Sequence, residues 1–182
     1  MASRYDDELW ELVPDAPGPP APVLADFVRR LDRAQRALDL GCGDGRLAAL
    51  LEADELTLAD VSPVALERAG RRLPQARLVE LDPDAPLPLG DGAFDLVLCA
   101  ETLEHVRDVQ LFLSEVRRVL RPSGRLAITT PAAPPLMRPP DPLSPHLRAF
   151  TRRSLRRLLD ELGFELRALR RRSGTLLGLA TR

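Results

Sequence analysis

Three glycines at positions 41, 43 and 45, with an acid two residues before the first, form the most chemically specific segment of the chain: Leu38-Asp39-Leu40-Gly41-Cys42-Gly43-Asp44-Gly45-Arg46. The turn follows a short apolar run, Ala37 to Leu40, that reads as a buried strand. Glycines at a strand end let the backbone approach a ligand closely and tolerate positive φ. Two ligand classes compete for such a turn. A dinucleotide fingerprint spaces its glycines G-x-G-x-x-G and sets a helix N-terminus against a diphosphate. Here the spacing is G-x-G-x-G, position 46 is Arg, and Asp39 brings negative charge to the same place. That carboxylate repels a diphosphate and suits an amine-bearing or otherwise cationic ligand. Asp60 closes the next predicted strand, Leu56 to Ala59, where a carboxylate accepts from ribose hydroxyls in nucleoside sites generally. Asp82 closes a third, Ala76 to Leu81, within reach of the exocyclic amine of a base. Aspartate is common at strand ends for purely local reasons. Three on successive strand tips, joined to the glycine turn, point to a positively charged nucleoside.

A second constellation follows the apolar run Phe94 to Cys99, another predicted strand. Glu101, Glu104 and His105 stand in the pattern E-x-x-E-H, and a helical turn there would gather residues three and four apart on one side. The chain has only two histidines, His105 and His146. Glu101, Glu104, His105 and His146 are an oxygen and nitrogen donor set suited to Mg²⁺ or Mn²⁺. Three readings stand side by side: a divalent metal site, proton handling or substrate orientation by His105 and Glu101, and simple hydrogen bonding at the start of the next helix.

The elements that must position these residues alternate. A helix is expected over Val23 to Arg33, and a second over Leu47 to Leu51 with its N-terminus aimed into the glycine crevice. Ser62-Pro63 is a good helix start, and that helix should run to Arg72. The stripe Val109, Phe112, Leu113, Val116, Val119 and Leu120 predicts a helix stopped by Pro122 and Gly124, followed by a strand from Arg125 to Thr130. A last helix ends at Gly163, and Phe164 to Leu169 with Thr175 to Ala180 should form a hairpin turning at 170–174. Such alternation predicts a largely parallel α/β sheet covered on both faces, with a terminal antiparallel pair. The Pro-rich stretch 14–22 separates an N-terminal arm, residues 1–22, from one domain over 23–182.

Composition narrows the partners. The 182 residues carry a formal net charge of −1, with 45% hydrophobic and 29% charged residues, as in ordinary single soluble domains. Bulk charge therefore calls for no membrane or nucleic-acid partner. All 26 basic residues are Arg. The run RALRRR at 167–172 lacks interleaved aromatics and reads as a solvated face. Cys42 and Cys99 sit in apolar segments, too few for a disulfide framework and suited to buried free thiols. The acidic N-terminus lacks the apolar core of a signal peptide, so a cytoplasmic location is expected. Tyr5 and Trp10, in the arm, either fold over the pocket or anchor the segment.

These residues carry a resemblance. ALDLGCGDG (37–45), LADVS (58–62), LPLGDGAFDLVLCAETLEHVRD (87–108), EVRRVLRPSGRLAITTP (115–131) and HLRAFTRRSLRRLLDELGFE (146–165) resemble, in order and at family spacing, the motifs of class I S-adenosylmethionine (SAM)-dependent methyltransferases. SAM carries an ammonium and a sulfonium and no phosphate, as the acid by the glycine turn requires. The resemblance implies a Rossmann-like, seven-stranded, mostly parallel sheet with helices on both faces. It implies a cofactor site of Asp39, Gly41, Cys42, Gly43, Gly45, Asp60, Val61, Asp82 and Pro83, with Cys99, Ala100 and Glu101 on the sulfonium and substrate side. Ser123 replaces the second residue of a P-G-G turn, with little effect expected. The E-x-x-E-H segment resembles the metal site of ubiquinone-pathway O-methyltransferases and of enzymes that 2′-O-methylate small-RNA ends, but it also occurs widely in this fold without metal. The expected function is methyl transfer to a small-molecule acceptor at a hydroxyl oxygen. The alternatives are methylation at an RNA end and a catalytically silent SAM-binding partner subunit.

Overall fold

The computed structural model describes residues 10–14, 18–133 and 147–182. Seven strands form one sheet: β1 (Ala34–Leu40), β2 (Ala53–Asp60), β3 (Arg77–Glu80), β4 (Phe94–Ala100), β5 (Leu120–Pro131), β6 (Glu165–Arg172) and β7 (Thr175–Thr181). Their order across the sheet is β3-β2-β1-β4-β5-β7-β6. The pairs β1–β2, β2–β3, β1–β4 and β4–β5 are parallel, whereas β7 runs antiparallel to both β5 and β6. The chain order reverses direction between β1 and β4, so the carboxyl ends of those strands flank the crevice where open α/β sheets bind ligands. The central strands are fully apolar runs because both faces are covered: Leu96, Val97, Leu98 and Cys99 of β4 are all completely buried.

Helices α1 (Pro22–Val28), α2 (Pro63–Arg72), α3 (Val109–Val119) and α4 (Arg152–Glu161) flank the sheet. Their starts are chemically set. Ser62 Oγ accepts from the Ala65 amide at 3.2 Å, with Pro63 in the first turn of α2. Asp108 caps α3 by accepting from the Gln110 and Leu111 amides at 3.1 and 2.9 Å. Thr151 and Ser154 cap α4 reciprocally. The expected stripe on α3 faces the core through Val109, Leu113, Val116 and Val119.

Two expected helices are shorter than their sequence suggests. The segment Leu47 to Leu51 forms only a 3₁₀ turn, Ala48–Leu50, despite good helix formers. The reason is reach. Ala53 must pair with Ala34 and Ala59 with Leu40, so the chain must travel back six strand positions, about 20 Å, after the glycine turn. Residues 46–52 coiled as an α-helix would advance only about 10 Å. A 3₁₀ turn with extended flanks covers the distance. This replaces the expected helix over Leu47 to Leu51 with its N-terminus in the crevice, and removes the dipole that a diphosphate would need. Helix α1 likewise stops at Val28 instead of Arg33, because Ala34 joins β1 and Arg125 Nη2 donates to the carbonyls of Asp32 and Arg33 at 2.9 and 3.1 Å. The terminal hairpin turns tightly at Ser173-Gly174, and the arginines at 170–172 belong to β6 instead of to the turn.

Ser123 sits at φ +62° in the bulged start of β5, a backbone region that favours glycine. Ser123→Gly should therefore raise stability by up to about 1 kcal/mol, read as an increase of about 2–4 °C in Tm by differential scanning calorimetry. An unchanged or lower Tm would show that the serine is not strained there.

Candidate functional site

The glycine turn is locked onto the neighbouring strand. The Gly41 and Cys42 amides both donate to the Ala59 carbonyl, at 2.8 and 3.1 Å. Gly41, Gly43 and Gly45 all adopt positive φ, at +77°, +53° and +75°. At Gly41 and Gly43 space is equally decisive. A Cβ on Gly41 would stand 2.5 Å from Thr102 Cγ2, and one on Gly43 would stand 2.6 Å from Trp10 Cζ2.

Asp60 braces the same turn. Its Oδ2 accepts from the Gly43 amide at 2.8 Å and its Oδ1 from the Ser62 amide at 3.0 Å. Asp39, on β1, is buried beside it. Burial first, and the Asp60 charge second, push the Asp39 carboxyl up to about 8. Asp39 Oδ1 is buried with no hydrogen-bond partner. The other buried acid of the turn, Asp44, is matched: Arg46 Nε lies at 2.9 Å and Arg72 Nη2 at 3.2 Å. One acid is thus internally compensated and the other is not, which makes Asp39 the place where a donor or cation would be most stabilising. Val61 is half-buried next to Asp60. Asp82 and Pro83 lie two and three residues beyond the end of β3 and are exposed, with Asp82 Oδ1 accepting from the Asp84 amide at 2.9 Å. Cys42 and Cys99 are buried free thiols, and burial raises both far above the ordinary range, so neither is a nucleophile.

Beyond Ala100 the chain turns sharply. Glu101 adopts φ +55°, an uncommon conformation for a residue with a Cβ. Its amide donates to the Thr129 carbonyl and hydroxyl at 3.0 and 3.1 Å, and its Oε1 accepts from the same hydroxyl at 2.9 Å. Glu104 is buried, and its Oε2 accepts from Thr130 Oγ1 at 3.0 Å. Thr129 and Thr130 are successive residues of β5, so their side chains leave opposite faces of the strand. The two carboxylates are therefore held apart instead of converging. His105 is exposed on the turn, its amide donating to the Thr102 carbonyl at 3.0 Å. His146 and Tyr5 lie outside the described residues. Among the described residues no group of three His, Cys, Asp or Glu side chains is arranged to hold a metal ion. The Glu101, Glu104 and His105 donor set does not form, because residues 101–105 make a turn pinned to two β5 threonines instead of a helical turn.

Sequence reasoning missed these partners. Thr102 donates from its hydroxyl to the Leu40 carbonyl at 3.1 Å and fills the space over Gly41, joining the tips of β1 and β4. Thr129 and Thr130 orient the glutamates. Only their position at a strand end could have flagged them. Trp10 covers Gly43, and its segment is tied down by Arg68 Nη1, which donates to the Val13 carbonyl at 2.8 Å.

Comparison with known proteins decides the family. The methyltransferase domain family matches residues 38–128, half of the 182-residue chain, and spans the glycine turn, Asp60, Asp82 and the 101–105 turn. The chain belongs to the class I SAM-dependent methyltransferases. This methyltransferase is 34% identical over 137 residues to the biotin biosynthesis bifunctional protein BioCD of Bordetella avium, covering 71% of this chain and 28% of that protein. It is 33% identical over 155 residues to the O-methyltransferase cnsE of Penicillium expansum, covering 75% and 55%. The methyltransferase chain thus spans little more than half of one relative and far less of the other. In fold it matches a SAM-dependent methyltransferase from Aquifex aeolicus with a TM-score of 0.69 at 20% identity, covering 87% of both chains. It matches the [4+2]-cyclase SpnF with a TM-score of 0.72 at 20% identity, covering 98% of this chain and 82% of that one. No helix among the described residues of the methyltransferase is long and apolar enough to cross a membrane.

Two outcomes test this geometry. Burial keeps the Asp39 carboxyl protonated up to about pH 8 in the folded chain, whereas an exposed aspartate of the unfolded chain releases its proton near the ordinary value of about 4. The folded state therefore binds more protons between those values, and stability falls as pH rises through that window. Asp39→Asn should remove this dependence and raise Tm above pH 8, and urea melts showing equal or lower stability at pH 9 would refute the unpaired charge. Gly43→Ala should push the ring of Trp10, the chain's single tryptophan, off the turn and red-shift its emission. An unmoved emission maximum would place the ring elsewhere.

Proposed function

We propose that this chain transfers the methyl group of SAM to a hydroxyl oxygen of a small-molecule acceptor. The observation that carries the reading is the buried, unpartnered Asp39 carboxylate oxygen beside a glycine turn braced by Asp60. A buried lone acceptor favours a cation, and the backbone there leaves no room for a side chain. Those features fit SAM. When bound, SAM supplies a methyl group activated by its sulfonium.

The chain's own residues have distinct tasks. Asp39 holds the ammonium end. Asp60, whose oxygens accept from the Gly43 and Ser62 amides, is the acceptor for the ribose hydroxyls. The backbone from Gly41 to Gly45, with Cys42, shapes the cradle, while Val61, Asp82 and Pro83 border the base. Cys99 and Ala100 close the floor toward β4. Glu101, fixed by the Thr129 hydroxyl, is the best-placed proton acceptor for an attacking hydroxyl. That carboxylate would take the proton the acceptor hydroxyl gives up on methylation. His105, exposed at the mouth, is the second candidate for this role or for orienting the acceptor. An O-methyltransferase among the relatives supports oxygen as the acceptor atom. Net charge −1 gives no support to an RNA acceptor.

The test is calorimetry followed by turnover. SAM affinity should rise as pH increases, by up to about tenfold per unit, and level off near 8, where Asp39 is ionised without help. NAD should not bind. With a panel of phenols and hydroxy acids the chain should release S-adenosylhomocysteine, and Glu101→Gln should lower kcat by roughly 10²–10⁴ while leaving SAM binding unchanged. Tight SAM binding with no turnover on any hydroxyl, or turnover only on short RNA, would overturn the assignment.

A further inference from the structure

We propose that a second pocket, on the acceptor side of the sheet, binds an oxyanion carried by the substrate, so that the acceptor is a small organic carboxylate or phosphate ester. This rests on the methyl-transfer reading and adds the substrate class to it. The pocket encloses about 370 Å³ between the end of β5, the start of α4 and the β6–β7 hairpin, and Arg152, Arg153, Arg171, Phe150 and Leu176 line it. That volume suits a small ligand.

Charge is the first argument. Among the described residues that line the pocket, none is acidic. No described carboxylate pairs with Arg152, Arg153 or Arg171, nor with Arg156, Arg170 or Arg172 on the same elements, whereas Arg157 pairs with Glu161 at 2.7 Å and Arg167 with Glu165 at 2.8 Å; what sets the first three apart is that they line one concavity. Three arginines from two elements line one concavity, and guanidinium forks match carboxylate and phosphate oxygens. Placing Arg152 and Arg153 in the first turn of α4, with no acid there, also runs against the helix dipole. A local rule broken without a compensating contact marks a functional position more often than a structural one. RALRRR, read from sequence as a solvated face, thus contributes Arg171 to a pocket.

Apolar lining and position complete the case. Phe150 and Leu176 are 7% and 1% exposed and give the pocket an apolar wall that a bare inorganic ion would not use. SAM belongs over β1 and β2 and the reacting hydroxyl by Glu101 at the tips of β4 and β5, so a pocket over β5 and β7 continues the same line across the sheet. Ala133, in the wall, is three residues from Thr130, at most about 10 Å along the chain. Its amide donates to the Phe150 carbonyl at 2.7 Å, and three residues earlier Leu147 donates to the Glu104 carbonyl at 2.9 Å. The pocket wall and the 101–105 turn are therefore one continuous structure.

The experiment titrates phenyl phosphate, benzoate, benzyl alcohol, inorganic phosphate and a single-stranded RNA 12-mer into the full chain saturated with S-adenosylhomocysteine. Phenyl phosphate, benzoate or both should bind at least tenfold more tightly than benzyl alcohol and than inorganic phosphate, and which of the two prevails identifies the oxyanion. Arg153→Gln/Arg171→Gln should weaken that binding at least tenfold while S-adenosylhomocysteine affinity stays within twofold. Arg157→Gln/Arg167→Gln, with the same charge change outside the pocket, should leave it within twofold. Equal binding of benzyl alcohol, equal losses in both double variants, or tighter RNA binding lost with Arg153 and Arg171 would each overturn the proposal. Failure of S-adenosylhomocysteine to bind the wild-type chain would instead sink the methyltransferase reading, a separate outcome.

Discussion

Two carboxylates buried side by side at the tips of adjacent parallel strands are the constraint on which the rest of this structure turns. Asp60 spends one lone pair on each side to hold the Gly43 and Ser62 amides, fixing the glycine turn to the start of α2. Asp39, in its field and out of water, has no such outlet. An apo protein that keeps an uncompensated acceptor in its interior gives up stability that a paired or apolar residue would retain. The neighbouring Asp44, matched by two arginines, shows that the chain can neutralise a buried acid of the same turn.

Around that pair the architecture divides the crevice by strand. The turn over β1 and β2 shapes one end, and the tip of β4 bends through the positive-φ Glu101 to face the other. Thr102 locks these halves together by bonding the Leu40 carbonyl and filling the space over Gly41. Thr129 and Thr130 then assign the two glutamates to opposite faces of β5, so one borders the crevice mouth and the other becomes part of the packed interior. Fold alone does not choose the reaction: a [4+2]-cyclase shares this architecture as closely as a methyltransferase does. The choice rests on which side chains the strand tips present.

Much of this was legible in the sequence because it depends on short-range chemistry. The glycine spacing, the acids after β1 and β2, the Ser62-Pro63 start of α2 and the stripe of α3 are each local, and the structure contains them all. Legibility failed where distant segments imposed a condition. Residues 47–51 have helical propensity, yet β2 must begin at Ala53 to pair with β1, and seven residues cannot be both helical and long enough. The E-x-x-E-H pattern suggested convergence on one helical side, but the partners that orient it lie 26 and 28 residues further on. The arginines of 167–172 are exposed, as a solvated run predicts; that Arg171 lines a concavity with Arg152 and Arg153 was not legible, because those companions lie in a separate stretch of chain.

By itself, the sequence determined the order of strands and helices, the cationic character of the ligand suited to the glycine turn, and membership of the family, since each is written in residue type and spacing. Tertiary structure alone decided which buried acid is left unpaired, which glutamate faces the crevice, and where three arginines gather. These depend on distances between segments remote in sequence, and a buried carboxyl's proton affinity has no meaning until the low-dielectric surroundings that the fold builds are in place.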